Sequence, residues 1–165
     1  MDIIVSGNIL QYAQKKYICA IGRNGFIANK KEGDGCTPIG KFPLREVYYR
    51  PDKLDKPTTI FECFPIDKTM GWCDDAAHPQ YNQPVKLPFF ASHEKLWRDE
   101  DACYDIIVVI GYNDNPIEPA KGSAIFMHIA KENYSPTEGC VALRLEDMLD
   151  LLANLQPCEL LVLGN

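Results

Sequence analysis

The chain has 165 residues, of which 46% are hydrophobic, 24% charged and 10% aromatic, and it carries a formal net charge of −6. That length suits one domain over 1–165, large enough to bury a core without a staple, and the composition excludes a disordered chain. The acidic balance repels phosphate backbones, Lys and Arg form no stripe, and no apolar run approaches a membrane span, so neither nucleic acid nor a membrane-spanning segment is expected.

Taken in order, 2–5, 9–12 and 17–21 are short strand-like runs separated by turn residues, the pattern of an antiparallel meander. A turn over 34–40 leads into a further strand over 42–49. Residues 52–88 are rich in Pro, Asp and Gly and read as a long irregular excursion, of the kind that usually carries function. Ser92 is placed to cap a helix running toward Asp99. The apolar, β-branched runs 104–110 and 123–128 read as central strands. Over 144–152 the spacing turns helical, with Leu145, Met148, Leu149 and Leu152 on one face, and 159–163 supplies a closing strand. The expectation is a mostly-β domain with two or three helices.

Cys19, Cys36, Cys63, Cys73, Cys103, Cys140 and Cys158 are an odd number with no C-x-x-C pair, which speaks for reduced thiols. The opening residues lack the basic and apolar stretches of a secretory signal. A cytoplasmic location is expected for the chain as written; a periplasmic or secreted one follows if a leader was removed or export is non-classical. Oligomeric state is not legible.

Cys140 stands in Ser135-Pro136-Thr137-Glu138-Gly139-Cys140-Val141. With a turn before it and a helix expected after it, its thiolate would be favoured by the helix N-terminus, and Gly139 would let backbone approach a reacting carbonyl. Read blandly, Cys140 is a small buried hydrophobe. His128 ends an apolar run twelve residues earlier, at the rim of a strand, where a neutral imidazole could take the thiol proton and leave a thiolate–imidazolium pair. The bland alternative is a structural histidine at a strand end.

Two ordered motifs decide between these readings. The stretch from His128 to Thr137-Glu138-Gly139-Cys140-Val141 resembles the catalytic signature of the YkuD-like L,D-transpeptidases. Nearly a hundred residues upstream, Thr37-Pro38-Ile39-Gly40-Lys41-Phe42 resembles that family's Thr-Pro-x-Gly-x-Phe turn. Gly71-Trp72-Cys73-Asp74-Asp75, Tyr81-Asn82 and Tyr104-Asp105 resemble a compact branch of the family, so the likeness covers nearly the whole chain. It implies a β-sandwich or barrel-like catalytic domain, mostly β with a few helices, that needs no cofactor and no metal. It implies acyl transfer on peptidoglycan or muropeptide stem peptides through a Cys140 thioester, with His128 as base. By the same likeness the Ile129 carbonyl orients His128, and backbone N–H groups at Gly139 and Cys140 serve as oxyanion donors. Thr137, Glu138, Trp72, Tyr81 and Asn82 are then expected to contact substrate. Glu138 and Ala142 depart from the residues common in the family, His and Arg or Asn, which bears on substrate choice rather than on the nucleophile.

Hydrolysis by an L,D-carboxypeptidase or amidase would use the same thioester with water as acceptor. A non-catalytic peptide-binding module on the same fold would have no need of the Cys140 and His128 pair. A zinc site built from His78, His93, His128 and Cys73 or Cys140 lacks the tight ligand spacing zinc prefers.

Overall fold

The computed structural model describes residues 1–164. Fourteen strands and one helix follow in order: β1 (Ile3–Ser6), β2 (Ile9–Tyr12), β3 (Lys15–Ile18), β4 (Phe26–Ile27), β5 (Thr37–Pro38), β6 (Gly40–Tyr49), β7 (Cys63–Pro65), β8 (Met70–Cys73), β9 (Pro84–Lys86), β10 (His93–Lys95), β11 (Ile106–Ile110), β12 (Phe126–Ile129), β13 (Val141–Leu143), α1 (Leu145–Asn154) and β14 (Glu159–Gly164). The main sheet runs β13-β12-β11-β6-β14-β1-β2-β3, with β7 paired to β6, and β8 is the centre of a separate sheet β10-β8-β9. Past β3 the chain bridges Ala20 to Ala142 of β13, so the two ends of the main sheet order meet. Closure of this kind leaves fewer unpaired strand edges.

The expected meander is present, since β1 pairs antiparallel with β2 and β2 with β3. Three expectations are corrected. The helix from Ser92 is strand β10, because His93–Lys95 pairs with Gly71–Cys73 of β8 and that ladder overrides the local capping signal. The helix expected after Cys140 is α1, but β13 comes between them and α1 packs on the first apolar cluster whereas Cys140 belongs to the second, so the expected support of the thiolate by its N-terminus is not seen. Among the described residues there is one helix, not two or three. The 52–88 excursion also holds β7, β8 and β9, short strands with too few residues to show a period.

Strand β11 explains how the core is divided. Its five residues are all buried, and side chains alternate between sheet faces. Ile106, Val108 and Ile110 join one apolar cluster with Val141, Leu143, Met148 and Leu151; Ile107 and Val109 join a second with Trp72, Tyr104, Phe126 and Cys140. The helix α1 covers the first cluster with Met148, Leu151 and Leu152, and its first-turn Glu146 and Asp147 sit favourably at the positive end of the helix dipole. Among the described residues no helix is long and apolar enough to cross a membrane. All seven cysteines are free thiols.

Candidate active site

Alternation along β12 and β13 turns the two candidate residues to one face. Met127 pairs with Val141 and His128 with Ala142, with Met127 and Val141 turned into the first cluster. His128 and Cys140 therefore share the opposite face. Both line one cleft of about 390 Å³, and each exposes 8% of its surface.

The Cys140 Sγ–H donates to the Ala124 carbonyl at 3.3 Å, and the Phe126 N–H donates to the sulfur at 3.4 Å. Burial pushes the thiol up to about 12, against the pull of the Phe126 N–H. On His128 the Nδ1–H donates to the Ile129 carbonyl at 3.0 Å, which fixes the tautomer and leaves Nε2 as the acceptor. Burial takes this imidazole down to about 4, although the Ile129 contact opposes the shift. The resting pair is consequently a neutral thiol and a neutral imidazole, not the thiolate–imidazolium pair expected from the sequence. Burial penalises both charges, and no helix dipole offsets it.

Gly139 has φ of +144°, and a Cβ there would lie 2.7 Å from the Cys36 carbonyl oxygen. Glycine is required because the loop before Cys140 is pressed against the residue that precedes the upstream motif. The two motifs thus meet in space: Thr37 is buried, and its Oγ1 accepts from the Gly22 N–H at 2.9 Å, while the Thr137 N–H and carbonyl bond Ile21 and Arg23. The Thr137 hydroxyl donates to the Cys140 carbonyl at 2.6 Å and accepts from the Gly139 N–H at 3.1 Å. That last bond corrects one expectation, since the Gly139 N–H is already engaged and Cys140 supplies the remaining candidate oxyanion donor of the two.

Among the expected substrate contacts, Thr137 and Glu138 border the cleft. Glu138 pairs with Arg23 at 3.0 Å, so its charge is already answered. Trp72, Tyr81 and Asn82 are buried and do not line the cleft, which corrects their placement as substrate contacts. Trp72 packs edge-on against Phe126 with centroids 5.0 Å apart, and its Nε1–H donates to Asn82 Oδ1. Tyr81 donates to Glu32 at 2.8 Å.

The residues that line the far wall were not among the expected site residues. Tyr104 places its ring edge-on to His128, centroids 5.6 Å apart, and donates its hydroxyl to Glu94 at 2.6 Å. Arg98 lies 4.0 Å over the Tyr104 ring. Burial raises the Glu94 carboxyl above its ordinary value, and nearby Asp74 and Glu32 add to the effect while Tyr104 and Arg98 oppose it. Glu32, Asp74 and Glu94 each accept from a neutral hydroxyl, of Tyr81 and Ser123, Ser92, and Tyr104 respectively. Lys30 on the same lining is paired with Asp34 at 2.6 Å. The pairing of β8 with β10 is what carries Asp74 to the cleft. Among the described residues no three His, Cys, Asp or Glu side chains are gathered as a metal ion would need; His78 and His93 pack on Phe89.

The L,D-transpeptidase catalytic domain family, YkuD, matches residues 5–162. The chain belongs to this family of cysteine-dependent peptidoglycan enzymes. No match was found among curated proteins or among solved structures.

Proposed function

We propose that the protein is an L,D-transpeptidase that transfers the acyl group of a peptidoglycan stem peptide through a Cys140 thioester. The observation that carries this reading is a tautomer-fixed imidazole in β12 and a buried thiol just before the neighbouring β13, both facing one cleft. Attack proceeds from the neutral pair: Cys140 Sγ bonds the donor carbonyl carbon as its proton passes to His128 Nε2. The imidazolium then protonates the departing amine, and the thioester remains. Deacylation reverses the roles, with an acceptor amine giving a new peptide bond and water giving hydrolysis.

Substrate desolvates the cleft further, so a concerted proton transfer avoids forming an isolated buried charge. The lining carboxylates Glu32, Asp74 and Glu94 favour a donor peptide that carries a free ammonium group. Incubation with a defined tetrapeptide, with and without an acceptor amine and read by intact mass, tests the reading. An acyl-enzyme adduct on Cys140 and an amine-dependent product are expected. Water-dependent product alone makes the enzyme a hydrolase, and no adduct with either acceptor overturns the proposal.

A further inference from the structure

We propose that Asn82 is a positioning residue for the nucleophile: it fixes the backbone at Ala124 so that the Ala124 carbonyl receives the Cys140 thiol. Asn82 is buried, and its amide is fully used. Oδ1 accepts from Trp72 Nε1 at 3.0 Å and from the Ala124 N–H at 3.0 Å, while Nδ2 donates to the carbonyls of Tyr112 at 3.1 Å and Asn113 at 2.8 Å. With two N–H donors facing one end and two carbonyls facing the other, a single orientation of the amide satisfies all four bonds.

The backbone at both ends of this link is unusual. Asn82 has φ of +55° and Ala124 has φ of +52°. Asparagine tolerates the left-handed region, but alanine adopts it when its surroundings hold it there. At Ala124 the holding contacts are the Asn82 oxygen on its N–H and the Cys140 thiol on its carbonyl. Were Ala124 to relax to an extended conformation with its N–H released, the carbonyl would swing off the thiol. Phe126, two residues on, supplies the N–H that donates to the sulfur, so the same short segment fixes the thiol from both its donor and its acceptor side. A loop residue forty-two positions before Ala124 thereby sets the direction of the nucleophile without touching it or the substrate.

The test uses the whole chain and three variants. Asn82→Gly removes the side chain and keeps the positive φ accessible. Without its acceptor the thiol loses a contact that favours its protonated form, so iodoacetamide at about pH 8 should label Cys140 about five-fold faster. Labelling of the buried Cys19, distant in sequence, should stay unchanged. In the same variant kcat on the tetrapeptide should fall about ten-fold while KM stays within about three-fold, because the sulfur is no longer aimed. Ala124→Gly, which loosens the carbonyl with Asn82 intact, should move Cys140 labelling in the same direction. If Asn82→Gly does not fold, Asn82→Ser, whose side chain is too short to place an acceptor at the Oδ1 position that holds the Ala124 N–H, takes its place for both measurements. Cys140 labelling and kcat that both stay unchanged in the variant that folds, a rise in labelling matched by Cys19, or unchanged Cys140 labelling in Ala124→Gly overturns the proposal. The turnover arm rests on the acyl-transfer reading; the labelling arm needs no peptide, so the two can fail separately.

Discussion

The two walls of the cleft are built differently. On one wall, His128 stands in the parallel ladder of β12 and β13 and Cys140 immediately before it, and burial disfavours the charged form of both. On the other, Glu32, Asp74 and Glu94 come from turns and from the small β8–β10 sheet and accept from hydroxyls, with Arg98 acting on Glu94 at longer range. The contrast separates chemistry from recognition. A reacting pair benefits from a stiff ladder that fixes distances, whereas charged loops can be altered without disturbing that ladder.

The sharpest way to break this contrast is at the sulfur. Cys140→Ala should lose at least about a thousand-fold in turnover while keeping the thermal midpoint, since Ala fills most of the same space. Measurable turnover near the wild-type rate would leave the ladder wall without its chemistry.

His128→Gln should lower kcat by about a hundred-fold or more, the usual worth of a positioned base. The same residue carries a stability signature. The folded protein holds His128 near 4, below its ordinary 6.5, so unfolding takes up a proton between those values. Stability is therefore full above about pH 6.5 and declines as pH falls toward 4, by roughly 3 kcal/mol. Urea titrations across that range should show the decline in wild type and a smaller one in His128→Gln.

On the recognition wall, Glu94→Gln should raise KM about ten-fold for a donor with a free ammonium and leave an N-acetylated donor nearly unaffected, with kcat little changed. Steady-state kinetics on the two peptides reads the difference. An equal effect on both would mean that Glu94 supports Tyr104 rather than substrate.

Between the walls, Gly139→Ala forces a Cβ toward the Cys36 carbonyl at 2.7 Å and should cost about 1 to 3 kcal/mol in urea unfolding. The smallest effect is expected at Glu138→Gln, where the partner Arg23 is exposed. The thermal midpoint and the kcat of that variant should both stay within experimental scatter.

The reacting pair was legible in the sequence because a nucleophile loop and the strand before it are local objects. Turn residues before Cys140 and an apolar run ending at His128 are written within eighteen consecutive residues, and the alternation of a strand carries both to one face. Strand β6, the meander, the apolar run of β11 and the closing helix were legible for the same reason, since each is marked by its own consecutive residues. Ser92 shows the limit: its capping signal was real but lost to the pairing of His93–Lys95 with β8, a long-range choice that local propensity does not encode.

Tertiary structure alone decided the protonation state of the pair, the role of Asn82 and the acidic far wall. Burial depends on everything packed around a group, so the neutral forms of Cys140 and His128 could not follow from their neighbours in the chain. Gly139 needs to be glycine because Cys36 stands opposite, and Asn82 is buried because Trp72, Tyr112, Asn113 and Ala124 surround its amide. Residue types and spacing fix which atoms are available and which face of a strand they occupy. Which of those atoms meet across a hundred residues is settled when the sheet closes, because hydrogen bonds and desolvation act through space rather than along the chain.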